Sequence, residues 1–323
     1  MEGRVDMLDK IFDELTASIE VRENLFTLRQ LLRDDRSHEL LSEIDEDRKD
    51  VLLDKLSDPV KTLLASSWNK KVKKVTLIGK GFSSSVTSTL RNTCGVTSIV
   101  SSTFAGDDRY DTACRICEYG LKNNYFSRDA CIVATGAKAA DALSMSPWAY
   151  YYKIPILLVD SRGVMTSKTT SLMRQFNKAY VVGGQNVVPE KVFYGNVSKI
   201  IRLAGETRYE TSVKIAEYFV PAYTGNDGRP THSNDYHQQV IFAPGADKNF
   251  PDALVGAMLA GGTNCYSKPA PIILVSANGV DPLATSFISR YRPSSYDPLC
   301  AYFLGAVTTS VENTIKNQLT SLM

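Results

Sequence analysis

Histidine is nearly missing from this chain of 323 residues, which holds only His38, His232 and His237. Hydrolytic triads and most zinc sites draw on that residue. None of the three recurs in the repeated part of the sequence set out below, so no catalytic residue is assigned and the chain is read as a non-enzyme. Cysteine is also sparse. Of six, only Cys114 and Cys117 are separated by two residues, and no second such pair completes a metal site. At i and i+3 of a helix the two thiols read as small apolar packing groups, so neither metal nor cofactor is expected. No run of 18 apolar residues occurs, which argues against a membrane-spanning helix. Met1 to Asp6 lacks a basic stretch leading into an apolar one, so no secretory signal is expected, and on that ground alone the chain would be cytoplasmic. A net charge of +2 gives no reason to expect nucleic acid as a partner.

What is present is an ordinary globular mixture, 43% apolar and 22% charged, long enough for two or three domains. Its charge is uneven. Residues 1–68 carry 17 acidic and 10 basic side chains, and glycine is missing from position 4 to 78. Leu8, Ile11, Phe12, Leu15 and Ile19 recur at steps of three and four, as do Val51, Leu52, Leu56, Val60, Leu63 and Leu64, which is the spacing of one helix face. Asp58-Pro59 fits an N-cap followed by proline in the first turn. An all-helical N-terminal region is therefore expected over 1–70. Lys70, Lys71, Lys73 and Lys74 close it as a solvated boundary run.

From residue 72 the texture changes to short apolar runs alternating with helical patterns. Strands are expected at Val72–Ile78, Cys131–Thr135, Ile154–Val159, Ala179–Val182, Val240–Ala243, Pro271–Val275 and Ala301–Leu304. Near-continuous apolar strands alternating with helices call for a parallel sheet covered on both faces, an α/β fold.

The same stretch is internally repeated. Ala105-Gly106-Asp107-Asp108-Arg109-Tyr110-Asp111-Thr112 returns 99 residues later as Ala204-Gly205-Glu206-Thr207-Arg208-Tyr209-Glu210-Thr211. Asp141-Ala142-Leu143 answers Asp252-Ala253-Leu254, Pro155-Ile156-Leu157-Leu158 answers Pro271-Ile272-Ile273-Leu274, and Gly183-Gly184 answers Gly305-Ala306. A partial copy precedes them, Val75 to Gly79 and then Phe82 to Val86. The divisions read from this are 71–103 for the partial repeat end, 104–203 for the first repeat and 204–323 for the second. Thr224 to Gln239, polar and rich in turn formers, lengthens the second copy and reads as a surface loop.

The order Ala-Gly-x-x-Arg-Tyr-x-Thr, Asp-Ala-Leu, Pro-Ile-Leu-Leu, Gly-Gly resembles the type-two cell-wall-binding repeat of Gram-positive surface proteins, over about residues 72–323. The resemblance implies tandem Rossmann-like α/β units, usually three around a pseudo-threefold axis, that hold a protein noncovalently to an anionic wall polymer. It places the chain at the cell wall or in a virion that reaches the wall from outside. The competing expectation is a structural subunit that uses the same repeat for protein contacts in an oligomer or larger assembly.

Six residues recur at matching positions and are the candidates for ligand binding or for pairing between repeats: Arg109, Tyr110 and Asp141 in the first copy, Arg208, Tyr209 and Asp252 in the second. A guanidinium pairs bidentately with a carboxylate or with a phosphate, and a tyrosine ring anchors packing or stacks on a sugar. Gly136-Ala137-Lys138 and Gly245-Ala246-Asp247 lack the spacing of a nucleotide-binding loop and read as tight strand-to-helix turns. Asp107 and Asp108 resemble an acid and base pair, but Glu206 and Thr207 replace them in the second copy.

Overall fold

A computed structural model describes Lys61, Leu64 and residues 72–321, except 81, 221, 225–229, 233–238, 247–249, 263–268 and 291–299. The helical reading of residues 1–70 therefore lies outside the described residues, apart from Lys61 and Leu64, which are helical. The chain divides into two compact units that meet in sequence at Asp107 and Asp108.

The first unit holds β1 (Lys74–Ile78), α1 (Ser84–Asn92) and β2 (Ser98–Phe104), with β1 and β2 paired in parallel. Ser83 caps α1 by accepting from the backbone N–H of Val86, as expected of a serine at that position. Leu77, Val86, Leu90, Cys94 and Val96 form its small core, with Leu64 packed against them.

The second unit continues the alternation. Its elements are α2 (Arg109–Lys122), β3 (Ala130–Thr135), α3 (Ala140–Tyr152), β4 (Ile156–Val159), α4 (Ser167–Met173), β5 (Lys178–Val182), β6 (Lys199–Leu203), α5 (Arg208–Phe219), β7 (Ala222–Thr224), β8 (Pro230–His232), β9 (Gln239–Pro244), α6 (Phe250–Gly262), β10 (Ile272–Val275), α7 (Pro282–Ser289), β11 (Cys300–Phe303) and α8 (Thr309–Thr320). Two parallel sheets result, ordered β4-β3-β5-β6 and β10-β9-β11. The fold is α/β with parallel sheets, and β9, β10 and β11 repeat the arrangement of β3, β4 and β5.

Each apolar strand is apolar throughout because both of its faces are covered. Along β3, Cys131 and Val133 point into a core with Cys114, Cys117 and Leu121 of α2 and Leu172 and Met173 of α4. Ile132 and Ala134 point the other way, into a second core that joins the two repeats. That shared core takes Met145 and Trp148 from α3, Val213 and Ala216 from α5, Phe242 and Ile273 from the second sheet, and Phe287 from α7. The two thiols of α2 thus serve as packing groups, and burial pushes Cys117 up to about 12.

Two strands escape the apolar pattern. β2 and β6 are partly exposed along most of their length, and each has a single strand partner among the described residues. Both perform the same crossing. β6 pairs with β5 of the first sheet, whereas the helix that follows it, α5, packs against β10 of the second. Likewise β2 pairs with β1, and α2 packs against β4 and α4. The Ala-Gly-x-x-Arg-Tyr segment is the turn between such a strand and its helix. The polar insertion is more than a loop, since β8 inside it pairs antiparallel with β7, which leads into it. His237 lies outside the described residues.

Candidate functional site at the repeat junction

In the first sheet the chain leaves β3 toward β4 on one side and returns to β5 on the other. A crevice is therefore expected beyond the carboxyl ends of β3 and β5. A cleft of about 640 Å³ opens there. One wall is the turn from β3 into α3, with Thr135, Lys138 and Asp141; another is the turn after β5, from Gly184 to Val187. The third is the crossing turn Ala204–Thr207 with Arg208, Glu210 and Lys214 of α5. The cleft thus lies between a helix of the first repeat and a helix of the second.

The backbone around it is fixed by polar contacts. Thr207 caps α5 by accepting from the N–H of Glu210 at 3.2 Å, and the Glu210 carboxylate accepts in return from the N–H of Glu206 at 2.9 Å. The hydroxyl makes the usual N-cap bond, and the carboxylate reaches one residue further back than the backbone N–H that a capping box uses. In the first repeat Asp108 caps α2 by accepting from the N–H of Asp111 at 2.7 Å. The acid at 108 and the threonine at 207 therefore hold one structural office. Arg202 of β6 donates to the carbonyls of Gly183 and Val188, at 2.7 and 2.9 Å, and holds the turn after β5.

The repeated arginines and tyrosines occupy equivalent positions. Arg109 Nη1 donates to the Gly136 carbonyl at 2.6 Å, and Arg208 Nη1 to the Gly245 carbonyl at 2.7 Å. A Cβ on Gly136 would stand 2.6 Å from Tyr110 Cε1, and one on Gly245 would stand 2.6 Å from Tyr209 Cε1. In each copy, then, arginine and tyrosine at the start of a helix clasp the glycine that ends the next strand, and only a residue without a side chain admits the ring. Arg208 and Asp141 come together in the cleft region, whereas the side chain of Asp252 lies outside the described residues.

Asp141 is the half-buried acid of this site. Burial pushes its carboxyl above the ordinary range, and Arg208 and Lys138 pull against that shift without cancelling it. Its Oδ2 would be 2.8 Å from a Cβ on Gly183, whose φ of +106° also favours glycine. Lys138 is exposed and makes no ion pair among the described residues. Lys214 pairs with Glu217 at 3.2 Å. The cleft lining holds three cations and three acids, but Glu210 is occupied by its helix cap and Asp141 is set back beside Arg208. Glu206 is left as the exposed acid. No group of three His, Cys, Asp or Glu side chains stands in metal-binding geometry among the described residues, and no described helix is long and apolar enough to cross a membrane.

Sequence reasoning named Arg208 and Asp141 but missed Lys138 and Lys214 as cleft residues. Neither has a lysine at the matching place in the other copy: Lys138 answers to Asp247, and Lys214 to Arg115. A search guided by the repeat passes over them, and only the fold brings them to one opening.

A family model described as Cell wall binding domain 2 (CWB2) matches residues 103–193 and 202–315. The chain is 26% identical over 266 residues to N-acetylmuramoyl-L-alanine amidase LytC of Bacillus subtilis (strain 168), spanning 82% of this chain and 47% of LytC. Among solved structures it superposes on Cwp8 from Clostridium difficile with a TM-score of 0.63 and 20% identity, over 84% of this chain and 42% of that one. Cwp6 from the same organism gives 0.65 and 19%, over 82% and 38%. The chain spans less than half the length of each of these proteins.

Proposed function

The chain belongs to the cell wall binding domain 2 family, and from that premise we propose that it is a non-catalytic module that holds a protein to a Gram-positive wall through an anionic polymer. The match of the family model to both repeats carries this reading. The junction cleft supplies the physical means. Lys138, Arg208 and Lys214 face an opening of about 640 Å³ whose acids are partly engaged elsewhere, and a guanidinium or ammonium is the natural partner of a phosphate or carboxylate. Arg208 has a double role in this proposal, fixing the second repeat to Asp141 of the first and presenting charge to the polymer. The amidase activity in the name of LytC is not carried over, because the chain spans less than half of that protein.

The test is co-sedimentation with purified Gram-positive walls before and after chemical removal of their anionic polymers. Binding is expected to be lost on removal, to weaken with added salt as ionic contacts do, and to fall in Lys138→Glu. Failure to bind intact walls at low salt would overturn the proposal in favour of a subunit that uses the repeat for protein contacts.

A further inference from the structure

At the opposite end of the same sheet lies a second cleft, of about 540 Å³, which the wall-polymer reading does not use. It opens at the amino ends of β3 and β5, where the carboxyl ends of α3 and α5 meet. Its lining includes Tyr152, Tyr180, Tyr218, Phe219, Asp129 and Lys178. Part of this cluster is core. Phe219 stacks on the buried Trp148 with ring centres 4.5 Å apart and planes at 12°, and Tyr180 is 7% exposed. The rim is different. Tyr152 remains 46% exposed and Tyr218 42% exposed, although each has aromatic neighbours at 5 to 6 Å. The cluster thus fixes two large rings in place without burying them.

The polar groups of the rim are of both signs. Asp129 accepts from the Ser127 hydroxyl at 3.1 Å, and the Lys178 ammonium stands 4.9 Å from the centre of the Tyr180 ring. One carboxylate, one ammonium and three phenols give acceptors and donors with no net charge. Such a lining does not favour a polyanion, and it is too polar for an apolar protein anchor. It matches a pyranose, which offers an apolar C–H face to a ring and hydroxyls to the groups around it. The cleft volume lies within the usual range of small-molecule sites, roughly 300–1,000 Å³.

We propose that this aromatic cleft is a second binding site, for a neutral pyranose unit of a glycan, with Tyr152 and Tyr218 as the stacking rings and Asp129 and Lys178 as the partners of its hydroxyls. The proposal does not depend on the anionic-polymer site, which lies at the other end of the strands.

The experiment is titration of the full chain with chitotetraose and with cellotetraose, followed by NMR shifts and calorimetry, beside poly(glycerol phosphate) as an anionic probe. Binding of either tetrasaccharide is expected. It should weaken about three- to tenfold in Tyr152→Ala and in Tyr218→Ala, the loss expected of one aromatic contact. Tyr218→Phe, which keeps the ring, should retain most of the binding. Tyr125→Ala, at an exposed tyrosine elsewhere, and Lys138→Glu should leave it unchanged. Circular dichroism checks that each variant is folded. The proposal is overturned if neither tetrasaccharide binds, if binding survives both alanine substitutions, or if the cleft takes poly(glycerol phosphate) in place of the sugars. It is equally overturned if sedimentation shows a dimer that Tyr218→Ala dissociates, since the cleft would then be covered by a second copy. Wall co-sedimentation of Lys138→Glu reports on the anionic site separately, so the two readings fail independently.

Discussion

Replacing Trp148 by alanine tests whether the two repeats of the second unit fold as one body. Trp148 lies on α3 of the first repeat, is 1% exposed and stacks on Phe219 of α5, which belongs to the second. Truncation removes the largest side chain in the shared core and leaves a cavity, at a cost of about 3–5 kcal/mol. A unit of this size loses about 2–4 °C for each kcal/mol, so the midpoint should fall by about 6–20 °C. Circular dichroism is the assay, because Trp148 is the only tryptophan of this unit and its loss would remove the fluorescence that reports on it. A double-mutant cycle with Phe219→Ala should give a coupling of about 0.5–1.5 kcal/mol for the ring pair. The reasoning is refuted if unfolding resolves into two transitions and Trp148→Ala moves only one. A coupling near zero would show instead that the stack contributes no more than its area.

Three further outcomes are expected. Gly136→Ala and Gly245→Ala should each cost about 1–3 kcal/mol in urea unfolding, since the new methyl meets Tyr110 or Tyr209 at 2.6 Å; adding Tyr209→Ala to Gly245→Ala should recover part of that loss, and strict additivity would contradict the clasp. Asp141 has a folded pKa raised above its ordinary 3.8, so its contribution is fully present below that value and is lost as pH rises through the folded one. Stability of Asp141→Asn relative to the parent should therefore increase from acid toward neutral pH, and a flat or opposite trend in chemical unfolding would contradict the burial argument. Among the described cysteines Cys300 is exposed, and Cys94, Cys114, Cys117 and Cys131 are buried. Burial also raises the pKa of Cys114, Cys117 and Cys131. Of these five, Cys300 should be alkylated first at neutral pH, as peptide mass mapping would show, and early labelling of Cys117 would count against the core that contains it.

The central strands were legible because covering a parallel sheet on both faces forces unbroken apolar runs, and β3, β5 and β9 carry them. The repeat was legible because a strand-to-helix crossing needs the same cap, the same clasped glycine and the same tyrosine each time it is made. β2 and β6 were not read as strands. Their residues stay partly exposed along most of their length, so SIVSSTF and KIIRL lack the apolar signature. The recurrence of the arginines was legible with two uses left open, and the fold adds a contact that no spacing reveals, the carbonyl of the glycine 27 residues on from Arg109 and 37 on from Arg208.

Sequence by itself determined the α/β class and the two copies, since each depends on a pattern that recurs along the chain. Tertiary structure decided which side chains share an opening. Lys138 and Lys214 meet at one end of the strands and Tyr152 and Tyr218 at the other, because packing α3 of one repeat against α5 of the next brings together residues more than 60 positions apart, and local sequence carries no record of that approach.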